Sequence, residues 1–141
     1  MFSDTYERRL QAWHDFRNTL EDSETPLEDT TNFYKDCPRV SINTDPYDNS
    51  TWPDPWQLVY ENTYCEFCIL LGICYSLQLT ERFSRDSFEI HITLDKEKSQ
   101  TNYLLYVNDW CIGYDYDSPV LSNTLPKNLT VEKSYVMPCL Q

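Results

Sequence analysis

The sequence predicts an α+β fold, in which an N-terminal helix and an extended arm precede a central buried helix packed on a small antiparallel sheet. Three features predict this fold. Apolar residues recur at helical spacing near the N-terminus, an apolar segment lies in the middle of the chain, and short segments rich in β-branched and aromatic residues follow it. With 141 residues, of which 40% are hydrophobic, the chain is long enough to bury one core.

The first helix is predicted over residues 4–20. Ser3 and Asp4 suit an N-cap, and apolar side chains then recur about every three or four residues from Tyr6 to Leu20. This spacing predicts an amphipathic helix with one face packed on the rest of the protein.

The segment 21–50 interrupts this periodicity. It is acidic and rich in Pro, Asn and Thr, a composition typical of extended chain rather than of a core element. An irregular arm of this length is expected to be held against its own domain or a neighbouring subunit. Residues 1–50 are therefore predicted to provide assembly contacts, with Phe33, Tyr34 and Pro38 as candidate interface anchors.

The remaining residues, 51–141, are predicted to form the α+β domain. Asp54-Pro55 suits the start of a short helix, and residues 64–80 suit a longer helix that is apolar on all sides and therefore buried. Strands are predicted over four segments, the last of them weak: 87–94, 102–107, 110–114 and 130–136. Asn108-Asp109 suits a two-residue hairpin turn.

Charge and composition exclude several classes of partner. The net charge of −12 argues against nucleic acid, because proteins that bind it neutralise phosphates with clustered Lys and Arg. The longest apolar segment, 67–75, is too short to cross a membrane, and the N-terminus lacks the apolar part of a signal peptide. We therefore expect synthesis in a cytoplasm, with the six cysteines as thiols. Two glycines leave no glycine-rich phosphate loop, and no cofactor is predicted.

Three cysteines, Cys65, Cys68 and Cys74, lie at or in the central helical segment. A zinc site is disfavoured because the first two lie in an apolar helical run rather than in a tight knuckle. A disulfide is disfavoured because helical residues with this spacing rarely meet bridge geometry. Cys68 and Cys74 suit core packing. Cys65 differs, since the first turn of a helix lowers a thiol pKa and favours a nucleophile.

The surroundings of Cys65 resemble the transglutaminase-like family within the papain-like cysteine proteinases. The segment WPDPWQL at 52–58, a short helix, and Cys65-Glu66 at the start of a long apolar helix carry this resemblance. It covers residues 52–116 in order and spacing more than in identity. The resemblance implies a helix packed on antiparallel strands, and a Cys–His–Asp triad that attacks amides and forms a thioester.

Carried onto this chain, the resemblance makes Cys65 the nucleophile and Asp115 the third member of the triad. The position of the histidine falls on Thr101 or Asn102, and neither side chain can accept and return the thiol proton. The resemblance therefore implies a fold that is kept and a reaction that is lost. His91, on the preceding strand, is the alternative base if its face of the sheet is turned towards the thiol.

A second resemblance concerns the whole chain. The stretch ISINTDPYDNSTWPDPWQLVYENTYCEFCILLGICYSLQLTERF is similar to small proteins of T4-like tailed phages, especially cyanophages. This resemblance implies a structural or adaptor component of the virion, at the neck, head–tail connector or baseplate, whose partners are other virion proteins. The alternative is an active cysteine hydrolase, amidase or transglutaminase with Cys65 as nucleophile.

Overall fold

The computed structural model describes residues 1–115 and 118–140, and within them it contains four α-helices and five β-strands. The helices are α1 (Tyr6–Leu20), α2 (Pro26–Phe33), α3 (Pro55–Glu61) and α4 (Glu66–Gln78). The strands are β1 (Phe88–Asp95), β2 (Gln100–Val107), β3 (Trp110–Ile112), β4 (Val120–Leu121) and β5 (Leu129–Val136). The predicted α+β class is confirmed.

The five strands form one antiparallel sheet in the order β4-β3-β2-β1-β5. In the register of β1 and β2, Ile90 lies opposite Leu105 and Ile92 opposite Tyr103. Ile90, Leu105 and Tyr103 belong to the core that α4 shares, so this face of the sheet is covered by the helix. Asn108 occupies the β2–β3 turn with a φ of 54°, which confirms the predicted hairpin.

Helix α4 is buried along most of its length, because eleven of its 13 residues are buried. Gly72 is required by close packing, since a Cβ there would lie 2.7 Å from the ring of Tyr34. Ser76 accepts a hydrogen bond from Trp13 Nε1 at 2.9 Å and lies 3.0 Å from the hydroxyl of Tyr34. The helix therefore holds α1 and the segment after α2 through buried polar contacts as well as apolar packing.

The segment 21–50 is not the extended arm that its composition predicts. Residues Pro26–Phe33 form α2, with Pro at the first turn and acidic residues beside it, as helix starts favour. Tyr34 and Cys37, which follow α2, are buried in the same core as α4. Residues 1–50 and 51–141 consequently share one hydrophobic core rather than forming an arm and a separate domain.

The starts of α1 and α3 are set by side-chain hydrogen bonds at the N-cap. Thr5, rather than Ser3 or Asp4, is the N-cap of α1. Asp54 caps α3 in a reciprocal capping box with Gln57, as Asp54-Pro55 predicts.

None of the helices in the described part of the chain is long and apolar enough to cross a membrane.

Candidate functional site

Cys65 is the N-cap of α4 and is 2% exposed. Its backbone is extended, with φ −75° and ψ 171°, so the residue lies outside the helix and beside the free N–H groups of the first turn. Cys68 lies in that first turn and is 1% exposed. Neither residue forms a disulfide in the structure.

The sulfur of Cys65 lies among hydrogen-bond donors. The thiol of Cys68 and the backbone N–H groups of Asn43, Phe67 and Cys68 lie beside it. The Cys68 thiol has the largest effect, and together these groups lower the pKa of Cys65 below its ordinary value against the opposing effect of burial. Of the two cysteines, Cys65 is therefore the one whose thiolate form is favoured.

Cys68 is the member of the pair that keeps its proton. The neighbouring Cys65 and burial both raise its pKa above the ordinary value. The hydroxyl of Thr44 lies 3.2 Å from its sulfur, and its thiol donates to the amide oxygen of Asn43 at 3.7 Å. The site thus contains two neighbouring sulfurs whose pKa values shift in opposite directions, with polar partners from residues 43 and 44.

Asn43 and Thr44 belong to residues 37–48, which we call the strap. The strap has no helix, and it is held by backbone pairing with Tyr64: Tyr64 N–H donates to the carbonyl of Pro38 at 3.0 Å, and Val40 N–H donates to the carbonyl of Tyr64 at 3.1 Å. Further along, Trp52 Nε1 donates to the carbonyl of Asp45 at 3.0 Å. These bonds hold the strap where Asn43 and Thr44 contact the two cysteines.

Tyr103 lies on the face of β2 that packs against α4, together with Leu105 and Val107. Its ring contacts that of Phe67 with centroids 5.4 Å apart. Burial raises the pKa of Tyr103, with smaller contributions from Glu66, Tyr47 and Cys65. A phenol with a raised pKa does not accept a proton near neutral pH, so Tyr103 is not a general base.

Asn102 and His91 lie on the other face of the sheet. Neighbouring strand residues point to opposite faces, and Tyr103 and Ile90 point towards α4. The ring of His91 packs on Tyr106 with centroids 4.5 Å apart, and burial lowers the pKa of His91. The structure therefore does not bring either predicted candidate to the thiol.

The second histidine of the chain does not reach Cys65 either. His14 is on the exposed surface of α1, where its Nε2 lies 3.3 Å from the amide of Asn18. Asp115 follows β3 and lines a cavity of about 230 Å³ that also contains Glu66 and Ile69, whereas Cys65 is not part of that lining. A Cys–His–Asp arrangement is consequently not assembled around the thiol.

The three predicted interface anchors have different environments. Tyr34 is 1% exposed and packs on α4, so it is a core residue rather than a surface anchor. Phe33 is partly buried and stacks on Phe16 with ring centroids 3.9 Å apart. Pro38 is exposed on the strap and is available to a neighbour.

The close placement of Cys65 and Cys68 is not predicted from the sequence. A bridge is disfavoured between two helical residues with this spacing, whereas Cys65 is the extended N-cap rather than a helical residue. The spacing Cys-x-x-Cys at a helix start was the available signal, since this pattern is known to lower the pKa of the first thiol. The roles of Asn43 and Thr44 had no signal in the local sequence.

Residues 1–115 and 118–140 contain no group of three or more His, Cys, Asp or Glu side chains placed to hold a metal ion. Comparisons of the chain with protein-family models, with curated proteins and with solved structures find no match.

Proposed function

We propose that Cys65 and Cys68 form a redox-active dithiol, which interconverts with an intramolecular disulfide. The observation that carries this proposal is the placement of Cys65, as the extended N-cap of α4, beside the thiol of Cys68 in the first turn of that helix. A thiolate is the reactive form of cysteine, and a second thiol beside it is what converts a mixed disulfide into an internal one.

The exchange balances with a small disulfide as oxidant. The Cys65 thiolate attacks one sulfur, which forms a mixed disulfide and releases the first thiolate of the oxidant. Cys68 then loses its proton to that thiolate and attacks the sulfur of Cys65, which releases the second thiolate. Two electrons pass from the dithiol to the oxidant, and the reverse steps reduce the protein.

The test is equilibration in buffers of reduced and oxidised dithiothreitol, approached from both directions. We expect a mass loss of two hydrogens, located by peptide mapping to the fragment that bears Cys65 and Cys68. Cys68→Ser should lose this conversion, whereas Cys139→Ser, a change at an exposed cysteine, should keep it. A wild-type protein that forms no bridge in fully oxidised dithiothreitol, even when it is unfolded and refolded in that buffer so that the strap cannot block access, would exclude the proposal.

We also propose that the α+β fold is a transglutaminase-like domain that has lost acyl transfer. Support comes from a cysteine at the start of a buried helix, followed by antiparallel strands in the order expected from the sequence resemblance. Tyr103 occupies the strand position that faces this cysteine, and it is not a base. We expect no transfer of an acyl group from a glutamine peptide to hydroxylamine. Hydroxamate formation that disappears in Cys65→Ser would overturn this proposal.

A second function is favoured by the exposed apolar side chains. Tyr60 and Trp56 lie four residues apart on α3, 66% and 48% exposed, and Ile42 on the strap is 79% exposed. Such side chains suit protein contacts. We propose on this basis that the chain serves as a structural or adaptor component of a tailed-phage virion, and that it is incorporated through contacts with other virion proteins.

This second proposal is tested on purified particles. Deletion of residues 1–50 is unsuitable, because it removes core residues such as Trp13 and Tyr34. The double substitution Ile42→Ser with Tyr60→Ser changes the two most exposed of these side chains and should reduce incorporation, as measured by quantitative mass spectrometry of particles. Unchanged copy number in particles, or absence of the wild-type protein from them, would count against an assembly role.

A further inference from the structure

We propose that the oxidant of the Cys65–Cys68 dithiol is a small hydroperoxide, selected because the strap excludes larger disulfides. This inference rests on the proposed dithiol function and names its substrate class. It follows from the placement of the two sulfurs, the position of the nearby cavity and the attachment of the strap.

The two cysteines are almost completely covered. Cys65 is 2% exposed and Cys68 is 1% exposed. The cavity beside α4 contains Glu66 but not Cys65 in its lining, so it gives no open route to the sulfur. A disulfide must align its S–S bond with the attacking sulfur, which requires space for substituents on both sides. Hydrogen peroxide must also align its O–O bond with the attacking sulfur, but with two heavy atoms it needs much less space to do so.

The strap is the element that closes the site. Asn43 Oδ1 accepts from the thiol of Cys68 at 3.7 Å, Thr44 Oγ1 lies 3.2 Å from the same sulfur, and the backbone N–H of Asn43 lies beside the sulfur of Cys65. For a macromolecular disulfide to reach Cys65, the strap has to leave Tyr64 and Trp52, to which it is hydrogen-bonded. Access for a large oxidant is therefore coupled to the opening of the strap, whereas a molecule close to water in size enters through local fluctuations.

The reaction balances with the groups present. The Cys65 thiolate attacks the terminal oxygen of the hydroperoxide, which forms a sulfenic acid and releases an alkoxide, or hydroxide from hydrogen peroxide. That anion takes the proton of the Cys68 thiol. The Cys68 thiolate then attacks the sulfur of Cys65 and expels hydroxide, which takes a proton from solvent. The sum is one dithiol and one hydroperoxide giving one disulfide, one alcohol or water, and one further water.

The experiment compares two oxidants on the full-length protein, hydrogen peroxide and 5,5′-dithiobis(2-nitrobenzoate). The rate of Cys65 oxidation is followed by peptide mapping, folded and in denaturant. Folding should shift the ratio of the peroxide rate to the aromatic disulfide rate by roughly a hundredfold in favour of peroxide. In Cys68→Ser, dimedone should trap the sulfenic acid at Cys65.

Loosening the strap supplies the matched test. Trp52→Phe keeps the aromatic ring and removes the N–H that bonds Asp45, so it should raise the rate with the aromatic disulfide by roughly threefold or more and leave the peroxide rate nearly unchanged. Trp56→Phe, on the exposed side of α3, is the control and should change neither rate.

Two failures are distinguishable. If both oxidants form the bridge and folding does not alter their rate ratio, the selectivity for hydroperoxide is refuted and the dithiol function stands. If neither oxidant nor oxidised dithiothreitol links Cys65 to Cys68, the dithiol function itself is refuted.

Discussion

Cys65 and Cys74 belong to the same helical segment and are both almost fully buried, yet their pKa values shift in opposite directions. At the N-terminus of α4, the Cys68 thiol and backbone N–H groups lie beside Cys65 and lower its pKa. Inside the helix, burial raises the pKa of Cys74, and its thiol donates to Gln78 Oε1 at 3.4 Å. The difference shows that neighbouring hydrogen-bond donors, and not exposure, determine which buried cysteine has a lowered pKa.

The comparison extends to the two ends of the helix. The start of α4 is surrounded by polar groups of the strap, whereas the rest of the helix packs on α1, the segment after α2 and the sheet. Substitutions in the packed part of α4 should therefore change the free energy of unfolding, and substitutions at its start should change the oxidation of the dithiol.

The largest effect on stability is expected at Ser76 in the packed part. Ser76→Ala leaves Trp13 Nε1 and the hydroxyl of Tyr34 without their buried partner, which should lower the free energy of unfolding by roughly 2–5 kcal/mol. Denaturant unfolding measures the change. Ser41→Ala, at an exposed position of the strap, is the control and should alter stability by less than about 0.5 kcal/mol. Equal effects of the two substitutions on the free energy of unfolding would contradict a stabilising role of Ser76.

The cysteines themselves should show a crossed pattern. Cys74→Ser places a more strongly hydrated group at a fully buried position, so it should cost about 1–3 kcal/mol of stability and leave dithiol oxidation intact. Cys65→Ser should abolish the oxidation, at a cost in stability that depends on pH. Unfolding curves and mass analysis of the oxidised protein measure both quantities. Loss of oxidation in folded Cys74→Ser would contradict the separation.

A smaller effect is expected in the pH dependence of stability. Because the folded-state pKa of Cys65 lies below that of the unfolded chain, ionisation contributes stability that is complete above the unfolded pKa of about 8.5 and is lost as pH falls through the folded pKa. The difference in unfolding free energy between wild type and Cys65→Ser should rise from pH 6 to about 8.5, by at most about 1.4 kcal/mol per pH unit. A flat or falling difference would refute a lowered pKa at Cys65.

Much of the fold follows from local sequence. The all-round apolar character of residues 64–80 predicts the buried helix, and Asn108-Asp109 predicts the hairpin, because both depend on neighbouring residues. Helix α2 does not follow in this way, since PLEDTTNF carries few apolar residues and is followed by Tyr34, which packs on Gly72 of a distant helix. Tertiary contact therefore decides the structure of a segment that composition marks as extended.

The same distinction between local sequence and tertiary contact applies to the site. The thiol at the helix start is predictable, because Cys65 precedes an apolar helix in the chain itself. The strap contacts of Asn43 and Thr44 are not, because they depend on how a segment without helix or strand pattern crosses α4. The face on which His91 lies depends on the strand register, which the sequence leaves open without the pairing of β1 with β2.

The most direct test of a thiolate at Cys65 is the absorbance at 240 nm, measured against pH for wild type and Cys65→Ser in their reduced forms. We predict that wild type carries the absorbance of one additional thiolate at pH 7, which disappears on acidification. Cys65→Ser should show no such step below the ordinary thiol pKa of about 8.5. Identical curves for the two proteins up to that pH would contradict the account.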